Sequence, residues 1–314
     1  MRIIFMGTPQ FAVPSLEALI KAGHEVAAVI TRPDKPKGRG KAMEPPPVKL
    51  TAEAVGIKVL QPHGIKDAAI LGELKAIAPD VIAVVAYGRM LPEALLDMPP
   101  MGCINVHASL LPKYRGAAPV NWAVINGDKE TGVTTMLMDK GMDTGGILME
   151  ERLPIGEDDT AEELSERLSV IGAGLLVKTV ELLSEGKIKA TAQSEEAASC
   201  APILKKEDGL INWARSAAEI KNLIRGVQPW PGAHTRLNAG LVKIYRGAIV
   251  QDPDNGAYPC AAPGTVIVAS SGRIVVKCGE GSLEIIELQP ENKRRMSAAG
   301  FLMGYKLKPG DRLA

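Results

Sequence analysis

Asn105 and His107 stand two residues apart in the short apolar run Gly102-Cys103-Ile104-Asn105-Val106-His107. In an extended segment alternate side chains share a face, so the amide and the imidazole point the same way. The pair joins a group that both donates and accepts hydrogen bonds to the one side chain whose free pKa lies near neutrality. Such groups polarise a carbonyl and move a proton, chemistry expected at the carboxyl edge of a sheet. A strand end with a capping Asn and an internally satisfied His has the same spacing, so the pair alone leaves both readings open. Further on, Asp139-Lys140-Gly141-Met142-Asp143-Thr144-Gly145-Gly146 forms a glycine-rich acidic turn. Its two carboxylates could serve a metal, partner a histidine, or only make the turn, where Asp and Gly are ordinary residues.

The elements that must position these groups follow from periodicity. Residues 2–6 read as a buried strand, followed by Gly7-Thr8-Pro9-Gln10, a helix from Pro14 to Gly23 and a strand over 26–30. That is a βαβ unit, which implies a parallel sheet with a right-handed crossover. The first turn carries Gly7 alone where a dinucleotide fingerprint needs three glycines, so NAD is rejected. A helix over 47–55, a strand over 58–60, a helix over 67–77 and a strongly apolar strand over 81–86 come next. The strand ending at His107 then precedes a helix over 119–126, a half-exposed strand over 131–138 and a long helix over 160–183. Thr160 and Glu163 form a capping box for that last helix. Residues 187–204 are polar and rich in small side chains, as a linker is. A helix over 216–226 then leads to five short strands at hairpin spacing and a final helix, the pattern of a small OB-like barrel. The fold class is therefore α/β: a Rossmann-like parallel-sheet domain over 1–189, a linker over 190–208, and a small β-barrel domain over 209–314.

Composition limits the function classes. Of 314 residues, 46% are hydrophobic and 23% charged, as in an ordinary globular protein. No apolar run approaches the roughly 20 residues of a membrane helix, and the N-terminus lacks the features of a signal peptide. Cys103, Cys200, Cys260 and Cys278 have no CxxC spacing, which fits neither a zinc site nor a disulfide framework. A cytoplasmic chain with no metal and no membrane partner is expected. The net charge of +1 hides an asymmetry, because residues 209–314 hold 14 Lys+Arg against 8 Asp+Glu. The 32–49 segment is also basic, with 6 Lys+Arg against 2 acids, and is rich in Pro and Gly. It reads as a long surface loop suited to gripping phosphates.

The segment Asn105-Val106-His107-Ala108-Ser109-Leu110-Leu111-Pro112-Lys113-Tyr114-Arg115-Gly116-Ala117-Ala118-Pro119 strongly resembles the signature of the 10-formyltetrahydrofolate-dependent formyltransferases. Met138-Asp139-Lys140-Gly141-Met142-Asp143-Thr144-Gly145 looks like the partner motif of the same family. Gly7-Thr8-Pro9-Gln10-Phe11-Ala12 and Gln228-Pro229-Trp230-Pro231-Gly232 are similar to the branch whose acceptor is methionine on initiator tRNA. The resemblance covers essentially the whole chain and implies Asn105, His107 and Asp143 as the catalytic set. It implies that Ser109, Leu110, Leu111 and Pro112 line the folate site. It places Arg39 and Lys41 in the loop that reads the acceptor stem, and tRNA along the basic C-terminal half, which includes Lys293, Arg294 and Arg295. By the same resemblance, residues 87–91 would wall the pterin pocket.

The chemistry can also be argued without the resemblance. Moving a formyl group from a folate nitrogen to an amine passes through a tetrahedral oxyanion, which needs donors aimed at the developing charge. The amine loses a proton and the folate nitrogen gains one, work for a histidine oriented by a carboxylate. The expected activity is formyl transfer from 10-formyltetrahydrofolate to initiator Met-tRNA by a monomer. The alternatives are transfer to a small amine (an amino-sugar nucleotide or glycinamide ribonucleotide), a non-enzymatic RNA-binding protein, and a hydrolase that releases formate.

Overall fold

The structure is a computed structural model that describes residues 1–37, 42–238, 240–250 and 261–314. Its contacts divide the chain into two compact units. The first comprises Met1–Pro119, Glu130–Pro154 and Ser165–Pro202; the second comprises Val120–Lys129, Ile155–Leu164 and Ile203–Ala314.

In chain order the first half contains β1 (Arg2–Gly7), α1 (Val13–Lys21), β2 (Glu25–Ile30), β3 (Lys35–Lys37) and β4 (Ala42–Glu44). It continues with α2 (Pro47–Ala54), β5 (Val59–Leu60), α3 (Ala68–Ile77), β6 (Val81–Val85), α4 (Glu93–Leu96) and β7 (Cys103–His107). Then come β8 (Arg115–Gly116), α5 (Pro119–Ile125), β9 (Glu130–Leu137), β10 (Ile147–Pro154), α6 (Ala161–Ser184) and β11 (Cys200–Ala201).

One sheet with the order β10-β9-β7-β6-β1-β2-β5 organises the first unit. The five strands from β5 to β7 are parallel, and β9 and β10 close the other side antiparallel. The parallel strands are continuous apolar runs because both faces are covered, and Ile3 to Met6 are fully buried. The chain winds one way from β1 through β2 to β5 and the other way from β6 to β7. This leaves a crevice at the carboxyl ends of β1 and β6, where such sheets hold ligands. Helix starts follow the expected chemistry: the Asp67 carboxylate accepts the Ala69 N–H at 2.9 Å, and Thr160 and Glu163 exchange capping bonds. Gly172 lets α6 lie against the site strand, since a Cβ there would come within 2.9 Å of Val106 Cγ1.

Three segments differ from the sequence reading. β10 was not expected, because Ile147–Pro154 is an edge strand with half of its residues exposed and only a weak apolar alternation. The basic 32–49 segment, read as irregular, contains the β3–β4 pair, with Pro36 opposite Met43. The linker stretch is not free chain over its first part. Thr191 bridges Ile147, and β11 pairs in parallel with β8.

The second unit adds α7 (Ala217–Gly226), β12 (Ala233–Leu237), β13 (Gly240–Val250), β14 (Val266–Ser270), β15 (Arg273–Lys277), β16 (Ser282–Pro290), β17 (Met296–Ser297) and α8 (Ala298–Gly304). Its antiparallel ladder runs β12-β13-β16-β15-β14, with β17 beside β16. The C-terminal tail joins the two outer strands: Leu313 bridges Leu237, and Arg312 bridges Thr265 just before β14. The OB-like barrel is closed through this tail around a core that includes Trp213, Ile220, Ile244, Leu283 and Phe301.

Candidate active site

β7 carries Asn105 between Val84 of β6 and Met136 of β9, and its last residue, His107, lies opposite Thr134. The Asn105 side chain is half-buried and forms no hydrogen bond with any described residue, so its amide remains available. His107 is different: it is 6% exposed and held on both sides. Nε2 lies 2.9 Å from the Tyr114 carbonyl oxygen, which can only accept, so Nε2 carries the proton. That leaves Nδ1 as the ring nitrogen with the lone pair. Nδ1 faces Asp143 Oδ1 at 3.7 Å, longer than a hydrogen bond. With a neutral ring a lone pair faces a carboxylate; once Nδ1 is protonated the same contact becomes attractive.

Asp143 is held by its own turn. It sits at φ 55°, and its Oδ2 accepts the Gly116 N–H at 2.8 Å. The turn tolerates no side chain at Gly145, where a Cβ would collide with the Leu137 carbonyl. Asp139 differs from Asp143 in role, because its Oδ1 accepts the Gly141 N–H at 2.9 Å and the Thr144 hydroxyl at 2.7 Å. It is therefore spent on the turn. Among the described residues no group of three or more His, Cys, Asp or Glu is arranged to hold a metal ion.

The 109–112 turn beside His107 divides into inward and outward residues. Ser109 is fully buried, and its hydroxyl donates to the Lys113 carbonyl. Thr134 Oγ1 donates to the Ser109 carbonyl at 2.7 Å and accepts the Leu111 N–H at 3.1 Å. Ser109 and Leu111 thus shape the turn, and Leu110 and Pro112 are its half-exposed members. After β6, Tyr87 is 2% exposed, and its hydroxyl has no hydrogen bond of good geometry among the described residues. Burial pushes its pKa up, opposed by the charges of Arg89 and Arg32. Burial also pushes the Cys103 thiol, at the start of β7, up to about 12, so it stays protonated.

A cavity of about 390 Å³ opens beyond the ends of β1 and β2, lined by Thr8, Arg32, Lys35, Glu44 and several prolines. Asp34 beside it is neutralised by Lys49 at 2.9 Å and accepts from Gln61 at 2.7 Å. Arg32 and Lys35 have no acidic partner among the described residues. Arg39 and Lys41, named from the sequence as tRNA contacts, lie outside the described residues. In the second unit Lys293 and Arg294 are exposed, whereas Arg295 pairs with Glu287 and stacks 4.4 Å over the Tyr245 ring.

Sequence reasoning missed Gln193. Its Nε2 donates to the carbonyls of Asp143 at 2.8 Å and Gly145 at 2.7 Å, and its Oε1 accepts from Arg115 Nε at 3.0 Å. The surrounding polar, small-residue stretch offers no period or motif that could have marked it.

Residues 1–180 match the formyl transferase family model, and residues 203–306 match the formyl transferase C-terminal domain model. The chain belongs to the formyl transferase family. Its curated relatives are more specific: a methionyl-tRNA formyltransferase of Citrifermentans bemidjiense is 51% identical, over 99% of this chain and 95% of that protein. A methionyl-tRNA formyltransferase of Pelotomaculum thermopropionicum is 53% identical over 99% of this chain and 97% of its own length. Among solved structures, the N-formyltransferase from Helicobacter canadensis, in complex with folinic acid and dTDP-3-aminofucose, shares the fold with a TM-score of 0.67 at 21% identity. That match covers 94% of this chain and 99% of the other.

Proposed function

We propose that the chain transfers the formyl group of 10-formyltetrahydrofolate to the amino group of methionine on initiator tRNA, the formylation that precedes translation initiation. The observation that carries the reading is the meeting, at one sheet edge, of an Asn105 amide that is unbonded among the described residues and a His107 ring whose Nδ1 faces Asp143. The methionine nitrogen attacks the formyl carbon and the carbonyl oxygen becomes an oxyanion. The Asn105 amide donates to that oxygen, charge stabilisation of the kind that dominates acyl transfer. The His107–Asp143 couple takes the proton that the attacking nitrogen sheds. As the bond from carbon to the folate N10 breaks, N10 gains a proton, so the products are a formamide and tetrahydrofolate with no covalent enzyme intermediate.

Leu110 and Pro112 supply apolar contact for the folate, on a turn that Ser109 and Leu111 hold in shape. Residues 1–189 form the catalytic domain, residues 190–208 the segment joining it to the next, and residues 209–314 the tRNA-binding domain. Arg39 and Lys41, with Arg32 and Lys35, which have no acidic partner among the described residues, engage the acceptor backbone, where each Lys or Arg neutralises a phosphate. The reading takes the chain as a cytoplasmic monomer. No helix among the described residues is long and apolar enough to cross a membrane.

One assay tests it. The protein is incubated with 10-formyltetrahydrofolate and methionyl-tRNA, initiator or elongator, beside glycinamide ribonucleotide and an amino-sugar nucleotide. Formylmethionine on the initiator tRNA is expected. No product there, or faster formylation of a small amine, would overturn the acceptor assignment.

A further inference from the structure

The 191–202 segment meets the active site from both sides. Ser199 Oγ accepts the Tyr114 N–H at 2.9 Å, and the Ser199 carbonyl accepts the Arg115 N–H at 2.8 Å. The Ser199 N–H donates to the Pro112 carbonyl, and β11 continues the pairing with β8. This end therefore holds Tyr114, whose φ is 63° and whose carbonyl fixes the protonated nitrogen of His107. The other end holds the aspartate. Gln193 donates both its amide hydrogens to the carbonyls that flank the bend at Asp143, and its oxygen accepts from Arg115. The Arg115 guanidinium is itself fixed by a two-pronged pair with Glu195, at 3.0 and 2.9 Å. The next amide after Arg115, that of Gly116, binds the Asp143 carboxylate.

Gln193 thus closes a ring: Arg115 to Gln193, Gln193 to the Asp143 backbone, the Asp143 carboxylate to Gly116, and Gly116 back to Arg115 through the peptide bond. A primary amide has two donors and one acceptor, and in Gln193 all of them are used. An aspartate in the left-handed region stays there only when its surroundings impose it. We infer that Gln193 is a positioning residue for the transfer: it sets the distance and direction of Asp143 relative to His107 Nδ1 without touching either substrate. Arg115, for all its place in the signature, is committed to this ring and is not free for a substrate phosphate.

The inference rests on the reading of Asp143 as catalytic, so the test separates the two. Gln193→Met keeps the length of the side chain and removes all its hydrogen bonds; Gln193→Ala is the second variant should the first fold poorly. Misplacing a reacting group by about 1 Å costs up to about 100-fold, so kcat should fall roughly 10- to 100-fold. KM for folate and for tRNA should each change less than about threefold, because no binding contact is lost. The limb of the kcat–pH profile set by the His107–Asp143 couple should shift, which a purely structural loss would not cause. In an Asp143→Asn background the same Gln193 change should cost less than about twofold, since there is no longer a carboxylate to position. A wild-type kcat for Asp143→Asn overturns the catalytic reading and this one with it. A crippled Asp143→Asn beside a Gln193→Met of wild-type kcat and pH profile overturns the positioning role alone. Losses that simply add in the double variant also overturn it.

Discussion

Two stretches of one sheet edge differ in how their polar groups are used. At the end of β7 nearly every polar atom ends on a fixed partner: His107 on Tyr114, Asp143 on Gly116, Gln193 on two carbonyls, Asp139 on its own turn. Asn105 is the exception. At the ends of β1 and β2, Arg32 and Lys35 line an open cavity together with Glu44 and have no ion pair among the described residues, while Asp34 is already paired with Lys49. On the proposed function, the difference follows from the work each stretch would do. Proton transfer and oxyanion stabilisation gain from groups that need not reorganise as charge develops. Holding a polyanion requires positive charge that the protein has not already neutralised. The edge thus passes from committed hydrogen bonds at β7 to uncommitted charge at β2, and substitutions at the two places should fail in different ways.

The largest effect belongs to the committed end. His107→Ala should lower kcat by about 100- to 10,000-fold, the usual range for losing an acid–base group, and Asn105→Ala by about 100- to 1,000-fold, the usual consequence of losing one donor to an acyl-transfer oxyanion. KM for tRNA should move little, because neither residue grips the acceptor. Steady-state kinetics of formylmethionine formation decide it. A kcat within a few-fold of wild type for Asn105→Ala would break the comparison, since an amide left uncommitted at β7 would then have no task.

Arg32→Ala should act in the opposite way, raising KM for methionyl-tRNA about 10-fold at low salt with kcat nearly unchanged. The signature is the salt dependence: the slope of log affinity against log salt should fall by about 1, one phosphate contact fewer. An unchanged slope would mean that the Arg32 charge meets no phosphate.

What the sequence disclosed follows the same division. The parallel sheet, the placing of Asn105 and His107 on one strand face, and the Thr160–Glu163 capping box were legible because they rest on short-range periodicity and side-chain chemistry. The 190–208 segment was not, because Gln193 and Ser199 act through backbone groups about 50 and 85 residues away, and hydrogen bonds to carbonyls and amides leave no side-chain pattern at the other end. β10 stayed hidden because an exposed edge strand lacks clear apolar alternation. The 109–112 segment stood out in the sequence, but its division into turn-shaping Ser109 and Leu111 and half-exposed Leu110 and Pro112 needed the fold.

Tyr87 gives a smaller effect at the crevice between the two stretches. Its buried hydroxyl has no hydrogen bond of good geometry among the described residues, so its desolvation is offset only by the nearby Arg89 and Arg32 charges. Tyr87→Phe should be neutral or stabilising by up to about 1 kcal/mol, read from urea unfolding. If that variant is as stable as expected yet its KM for folate rises several-fold, the hydroxyl is unpaired because it waits for the ligand, and Tyr87 joins the uncommitted groups.

The smallest effect concerns the acid that keeps the β2 end from being more positive still. Hydrogen bonds from Gln61 and Lys49 hold the Asp34 carboxyl below its ordinary value. A carboxylate whose pKa is depressed on folding stabilises the protein above the unfolded value of about 3.9, and that contribution is lost as pH falls through the folded pKa. Asp34→Asn should therefore be less stable than wild type at neutral pH, and the gap should close as the solution is acidified below about pH 4. Urea unfolding at a series of pH values reads the gap directly. A gap independent of pH would show that the Lys49 pair contributes nothing, and Lys49 would then count with Arg32 and Lys35 as charge left free for the acceptor.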